Sequence, residues 1–106
     1  MARLDNLLVI GDSKGQITYG NNSRETIRVH GGAIKAVEIV EDLIFTASSD
    51  RTVKVWNCDY KQLGLFFCPA PVTSMALMKI TRNPYMIVSL ACGDELGNIH
   101  YLTWNS

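Results

Sequence analysis

Ser13 is the residue best placed for covalent chemistry. It sits in Gly11-Asp-Ser13-Lys-Gly15, a Gly-x-Ser-x-Gly pattern that follows the apolar run Leu7-Leu-Val-Ile10. That pattern suits a nucleophilic serine when a helix begins straight after the turn and presents the hydroxyl. Here the turn is followed by Gln16-Ile-Thr-Tyr19, which alternates like a strand and stops at Gly20. A second copy of the unit at Gly93-Asp-Glu95-Leu-Gly97 keeps the glycines and puts Glu95 where Ser13 stands. A hairpin turn accounts for both copies, whereas a small serine hydrolase built on Ser13 accounts for one. Metal chemistry has even less to work with. Cys58, Cys68 and Cys92 form no CxxC pair, and the two histidines, His30 and His100, lie near no cysteine pair. Cys58 and Cys68 could face one another across a hairpin, but buried free thiols are the favoured reading. Asn21-Asn22-Ser23 fits a glycosylation sequon and, with no export signal, reads as a polar turn.

The elements that carry these residues repeat. Gly11-Asp-Ser-Lys-Gly-Gln-Ile-Thr-Tyr-Gly20 returns as Gly93-Asp-Glu-Leu-Gly-Asn-Ile-His-Tyr-Leu102, and Ser48-Ser-Asp-Arg-Thr-Val-Lys-Val-Trp56 is a variant copy between them. A strand–turn–strand unit recurring at intervals of about 40 residues predicts a row of similar modules. Strands are expected near Leu7–Gly11, Gln16–Gly20, Glu25–His30, Ile34–Val40, Leu43–Ser48, Thr52–Asn57, Gln62–Phe67, Val72–Lys79, Met86–Cys92 and Asn98–Trp104. Gly15 and Gly97 supply the positive φ of tight turns, and Asp12, Asp50 and Asp94 can accept hydrogen bonds from turn amides. Glu41-Asp42 and Arg82-Asn-Pro84 mark turns between other strands. Runs such as Met86-Ile-Val-Ser-Leu-Ala-Cys92 are apolar on both faces, which implies sheets covered by sheets.

Composition narrows the function classes. Ten basic residues balance ten acidic ones, and the basic residues are scattered singly, so neither nucleic acid nor acidic lipid is an expected partner. The apolar runs are strand-sized, short of the ~20 residues of a membrane span. No signal-peptide core is present near Arg3 and Asp5. A single small, cytoplasmic domain is expected, with no cofactor: the phosphate loop Gly-x-x-x-x-Gly-Lys-Ser/Thr does not occur. Tyr19, Tyr101 and Trp104, at strand spacing, read as core or sheet-interface residues rather than a binding surface.

Residues 30–57 resemble a WD repeat. His30-Gly31-Gly32 is followed by Ile34-Lys-Ala-Val37 and then by Leu43-Ile-Phe-Thr-Ala-Ser-Ser-Asp-Arg-Thr-Val-Lys-Val-Trp-Asn57. That run is similar to the family's Leu-x-x-Ser/Thr-Gly-Ser-x-Asp-x-Thr-Val-x-x-Trp-Asp pattern. Ala47 replaces a frequent Gly, Asn57 replaces the closing Asp, and the family's Ser-Pro-Asp-Gly turn is missing after Val40. The resemblance implies an all-β fold, a partial WD-repeat β-propeller of about two to three four-stranded antiparallel blades. It also implies a structural hydrogen-bonded tetrad of His30, Ser48 (or Thr46, two residues earlier on the same face), Asp50 and Trp56. The units at 7–20 and 72–104 are degenerate and lack the tetrad. Their Gly-Asp-x-x-Gly-x-Ile form, and the ending Gly97-Asn-Ile-His-Tyr-Leu-Thr-Trp104, resemble the last blades of NACHT and apoptosome-type signalling ATPases.

One incomplete propeller segment is therefore expected over residues 1–106: part of a blade at 5–30, a blade at 31–68, and a blade lacking its last strand at 69–106. The chain is expected to start at a blade's second strand, as in a truncated copy, and to end after a third strand, as at the end of a full propeller. Both outer faces would be apolar and uncovered. The expected function is a non-catalytic scaffold for protein–protein interaction. Its partners would be other proteins, among them the remaining blades of a propeller or copies of itself. Binding would use one rim, the loops His30–Ala33 and Pro69–Pro71 with the turn residues Lys14, Arg51 and Glu95. A functionless truncated propeller is the remaining alternative.

Overall fold

Alternating apolar residues and frequent turn formers leave this chain one way to bury its surface, as small antiparallel sheets laid face to face. A computed structural model describes residues 2–4, 7–20, 24–41, 43–57, 59–82 and 85–105. These form three sheets. The first contains β1 (Ala2–Leu4), β2 (Leu7–Gly11), β3 (Gln16–Gly20) and β4 (Arg24–Arg28). The second contains β5 (Ile34–Val40), β6 (Leu43–Ser48), β7 (Thr52–Trp56) and β8 (Gln62–Phe67). The third contains β9 (Val72–Arg82), β10 (Tyr85–Asp94) and β11 (Ile99–Asn105). Every pairing is antiparallel and joins strands adjacent in sequence. The molecule measures 39 × 38 × 18 Å.

One difference from the sequence reading concerns the first sheet. It has a fourth strand, β1, paired Ala2↔Val9 through Leu4↔Leu7, so it does not begin at a second strand. Three residues carry no periodicity that a sequence pattern can detect. The sequon at 21–23, Asp42, Cys58 and the Asn83-Pro84 turn lie outside the described residues.

The middle sheet is covered on both faces. All six residues of β6 are buried, as are four of the five in β7. Toward the first sheet, Val9, Ile17, Val29, Val37, Ile44 and Trp56 form one core. Toward the third, Phe45, Val53, Val55, Val72, Val88 and Leu90 belong to another. Trp104 packs against this second core at Gly64, where an added Cβ would come within 2.4 Å of the indole. The outer faces differ from one another. That of the third sheet exposes Met78, Ile99 and Tyr101, the last at 81%. Tyr101 is thus a surface residue, against expectation, because no sheet lies over it. Tyr19 stacks on Tyr60, with ring centroids 3.8 Å apart. On the first sheet, by contrast, Thr18 and Thr26 form an exposed hydroxyl pair at 3.0 Å.

Candidate functional site: a sealed network and a charged rim

The three hairpins β2–β3, β6–β7 and β10–β11 have the same backbone. In each, the fourth turn residue donates its N–H to the carbonyl of the first: Gly15 to Asp12, Arg51 to Ser48, Gly97 to Asp94. The fourth residue has positive φ in all three, 79° at Gly15, 74° at Arg51 and 83° at Gly97. The first residue also caps the turn with its side chain. Asp12 Oδ1 accepts from the amides of Lys14 (2.8 Å) and Gln16 (3.0 Å), and Asp94 Oδ1 from those of Leu96 (2.9 Å) and Asn98 (3.1 Å).

Ser48 holds that capping position in the middle hairpin. Its Oγ accepts from the Asp50 amide at 3.1 Å and donates to the Gly32 carbonyl at 3.1 Å. Ser48 is therefore not the hydroxyl of the tetrad, and this corrects the sequence reading. Thr46 takes that place. It lies on the same face two residues down β6, diagonally across from Trp56 of β7, which stands opposite Ile44 and reaches Thr46 with its indole. Period-two alternation cannot separate two hydroxyls on one face; strand register does.

His30 is 2% exposed and meets Thr46, Asp50, Thr52 and, through Thr46, Trp56. Its Nδ1–H donates to Asp50 Oδ2 at 3.0 Å, with Thr52 Oγ1 at the same distance. Its Nε2 accepts from Thr46 Oγ1 at 2.7 Å, and Trp56 Nε1–H donates to the same Thr46 oxygen at 3.0 Å. Asp50 further accepts from the amides of Gly31 (3.1 Å) and Thr52 (3.0 Å) and from the Thr52 hydroxyl. Each donor has an acceptor, so the tautomer follows from the network. Burial holds the His30 imidazole below its ordinary 6.5, against the opposing pull of Asp50. For Asp50, burial pushes the carboxyl up. The hydrogen bonds from Thr52, His30 and Gly31 outweigh it, and the carboxyl ends below its ordinary value.

Thr46, His30 and Asp50 have the order of a nucleophile, a base and its orienting carboxylate. The surroundings deny them that role. Thr46 is fully buried, its oxygen already receives the indole N–H, and the adjoining strand residues are packed core. At 0% exposure the hydroxyl is out of reach of a substrate carbonyl. Ser13 fares no better, being exposed in a turn that leads into β3 rather than a helix. The network fixes the His30–Ala33 loop to the β6–β7 hairpin, each neutral bond contributing ~1 kcal/mol net.

A second His–Asp pair lies under the β10–β11 turn. His100 Nε2–H donates to Asp94 Oδ2 at 2.7 Å, with the carboxylate buried and the ring partly exposed. This hydrogen bond, the turn amides assisting, lowers the Asp94 carboxyl below its usual range. Sequence reasoning missed it because His100 stands where Thr18 stands in the first copy. A fourth turn of the same construction, at Asn57, was also missed. Asn57 Oδ1 accepts from the amides of Asp59 (2.9 Å) and Lys61 (3.0 Å), with Tyr60 in the positive-φ place. Asn at the cap offset was the available signal. Cys68 and Cys92 are free and buried, and burial pushes the Cys92 thiol up to about 11. Among the described residues, no three His, Cys, Asp or Glu side chains are arranged to hold a metal.

Lys14, Arg51 and Glu95 are exposed, one on each equivalent hairpin, at the same end of the sheets as the His30–Ala33 and Pro69–Pro71 loops. Backbone bonds tie loops and turns together: Val29 and His30 donate to Gly15, Ile34 to Asp12, Cys68 to Arg51, and Glu95 to Pro71.

Antiparallel sheets of four, four and three strands, with a His–Thr–Asp–Trp network in the middle one, define adjoining blades of a WD-type β-propeller. The solved structures agree on the fold. A chain of a mitotic checkpoint complex matches 94% of this chain and 32% of its own length, at TM-score 0.77 and 17% identity. The computationally designed Ika4 protein matches 95% of this chain and 87% of its own, at TM-score 0.67 and 15% identity. The model of the TEP-1 C-terminal β-propeller family matches residues 30–104, and the chain belongs to that family. Telomerase protein component 1 of Rattus norvegicus is 36% identical over 83 residues, 77% of this chain. The chain spans only 3% of that relative's length.

Proposed function

We propose that the chain is a non-catalytic platform for protein–protein contact and works as part of a larger propeller in a signalling or regulatory protein. One observation carries this reading. The best catalytic constellation among the described residues, Thr46–His30–Asp50, is closed to solvent and serves to hold a loop, while Lys14, Arg51 and Glu95 stand exposed on the rim. The partners are other proteins, including further blades or other copies of the chain, and the setting is cytoplasmic. The length of the relatives supports a long parent protein. The finer assignment, to a NACHT or apoptosome-type ATPase, rests on the Gly-Asp-x-x-Gly units, and a coding sequence that continues upstream into a phosphate-binding loop would support it.

Exchanging Lys14, Arg51 and Glu95 together tests the placement on the rim. Loss of cross-linked partners with an unchanged thermal midpoint is expected; unchanged capture would put the contact elsewhere. The relatives are named as a protein component of telomerase. In this reading the chain itself touches protein, and a gel-shift titration with RNA at about physiological salt should give no saturable complex.

A further inference from the structure

The rim is divided by charge. Around the His30–Ala33 loop the exposed charged side chains among the described residues are cationic, and two of them occupy backbone positions that equivalent blades fill with neutral residues. Arg51 takes the positive-φ place that is Gly15 in the first hairpin and Gly97 in the third. Lys35 is the extra residue of a β-bulge in β5, between the pairs Ile34↔Ser48 and Ala36↔Ala47. The same bulge in β9, between Val72↔Asp94 and Ser74↔Gly93, carries Thr73. Bulges and left-handed residues are places where a fold re-aims a side chain at some cost, and they concentrate at binding sites. Both departures from the neighbouring blades add a positive charge beside the same loop.

Lys14 joins them from the first hairpin, one residue before the Gly15 carbonyl that holds Val29 and His30. Arg28 Nε and Lys54 Nζ reach the same loop, donating to the carbonyls of His30 (3.3 Å) and Val29 (2.7 Å) without a carboxylate. Two acids lie close, Asp12 and Asp50, and both are committed: Asp12 to turn amides, Asp50 to His30, Thr52 and Gly31. Phe67, paired with Thr52 at this end of β8, is 78% exposed. Glu95 stands apart over the third sheet, beside the Asp94–His100 pair.

Deepening the platform reading on which it rests, we infer that the rim formed by Lys14, Lys35 and Arg51, with Phe67 at its border, receives an acidic protein segment whose carboxylates meet the cations and whose apolar residue covers the Phe67 ring. Arg51 supplies a planar fork for one carboxylate, the usual partner of a guanidinium. Charge complementarity calls for an anionic occupant, and a protein segment suits the rim better than RNA because, among the described residues there, Phe67 is a single exposed ring rather than a row on which bases could stack.

The full chain, titrated by fluorescence anisotropy with a labelled peptide of glutamates and leucines, tests this directly. Binding should weaken about tenfold in Arg51→Gly and by about as much in Lys35→Thr, and it should weaken further on raising the salt. Both variants install residues that equivalent blades carry at those positions, so a melt and a circular dichroism spectrum should show an intact fold. Equal affinity for a peptide with lysine in place of glutamate would overturn the proposal, as would unchanged binding by folded Arg51→Gly. Tighter binding of an RNA oligonucleotide, lost in the same two variants, would also overturn it. A peptide-library screen separates this proposal from the broader one. A neutral or basic binder that depends on Arg51 would remove the acidic segment and keep the platform, while a screen with no rim-dependent binder would remove both.

Discussion

The β6–β7 hairpin and its flanking counterparts share one backbone and divide the work differently. In β2–β3 and β10–β11 an aspartate caps the turn and a glycine takes the left-handed place. In β6–β7 the cap is a serine, and the aspartate has moved two residues on, to Asp50, where it reaches across to His30. The shift turns a local device into a long-range one. Asp12 and Asp94 close their own turns; Asp50 ties its turn to a loop twenty residues away in sequence. A repeat architecture permits this because the turn needs only an acceptor at its first position, which a hydroxyl can supply.

The largest expected effect separates backbone strain from packing within the flanking pair. A Cβ on Gly15 would meet the His30 carbonyl oxygen at 2.1 Å, whereas one on Gly97 meets nothing within 4 Å. Both glycines have positive φ. Gly97→Ala should therefore cost about 1 kcal/mol, the left-handed penalty alone. Gly15→Ala adds a clash with immovable backbone and should exceed about 3 kcal/mol in urea unfolding. Equal losses would mean that the first hairpin does not press on the loop as described.

Next comes the pair of hydroxyls on β6. Thr46→Val keeps the shape and leaves His30 Nε2 and Trp56 Nε1 without partners, at a cost of about 3 kcal/mol. Ser48→Ala removes a turn cap and should cost about 1 kcal/mol. A reversed order would restore Ser48 to the network.

These two residues also mark how far the sequence could be read. His30, Asp50 and Trp56 were legible because each type occurs at a spacing that a WD repeat requires. The choice between Thr46 and Ser48 was not, since both lie on one face and only the height of Trp56 opposite Ile44 decides it. Hairpins with glycine in the left-handed place were equally plain. The Asn57 turn hid behind Tyr60, whose φ of 61° contradicts its residue type and is compensated by stacking on Tyr19. Arg51 was legible as a turn residue, but its positive φ was hidden by its residue type in the same way.

The two His–Asp pairs predict a smaller, pH-dependent difference. Burial lowers the folded-state value for His30, so its contribution is complete above the unfolded value of 6.5 and is lost as pH falls below it. The depressed carboxyls act lower: their contribution, present above 3.8, is lost as pH falls through their folded values. The thermal midpoint should begin to fall below about pH 6.5. His30→Gln, though less stable throughout, should hold a flatter midpoint between the two windows. Should His30→Gln lose midpoint below pH 6.5 as steeply as the parent, the buried imidazole would not be the acid-sensitive element.

The smallest effect has the opposite sign. Arg51 holds a φ of 74° where both neighbours use glycine, and its side chain is exposed. A left-handed non-glycine residue costs about 1–2 kcal/mol, part of which glycine returns through the greater freedom of its unfolded chain. Arg51→Gly should therefore gain about 0.5 kcal/mol, a rise of about 3 °C in a domain of this size. Gly97→Arg, the reciprocal change, should lose about 1 kcal/mol. A hairpin selected for stability alone would carry glycine at this place in all three blades. Should Arg51→Gly instead lower the midpoint, the guanidinium would be contributing to the fold, and its strained position would no longer point outward to a partner.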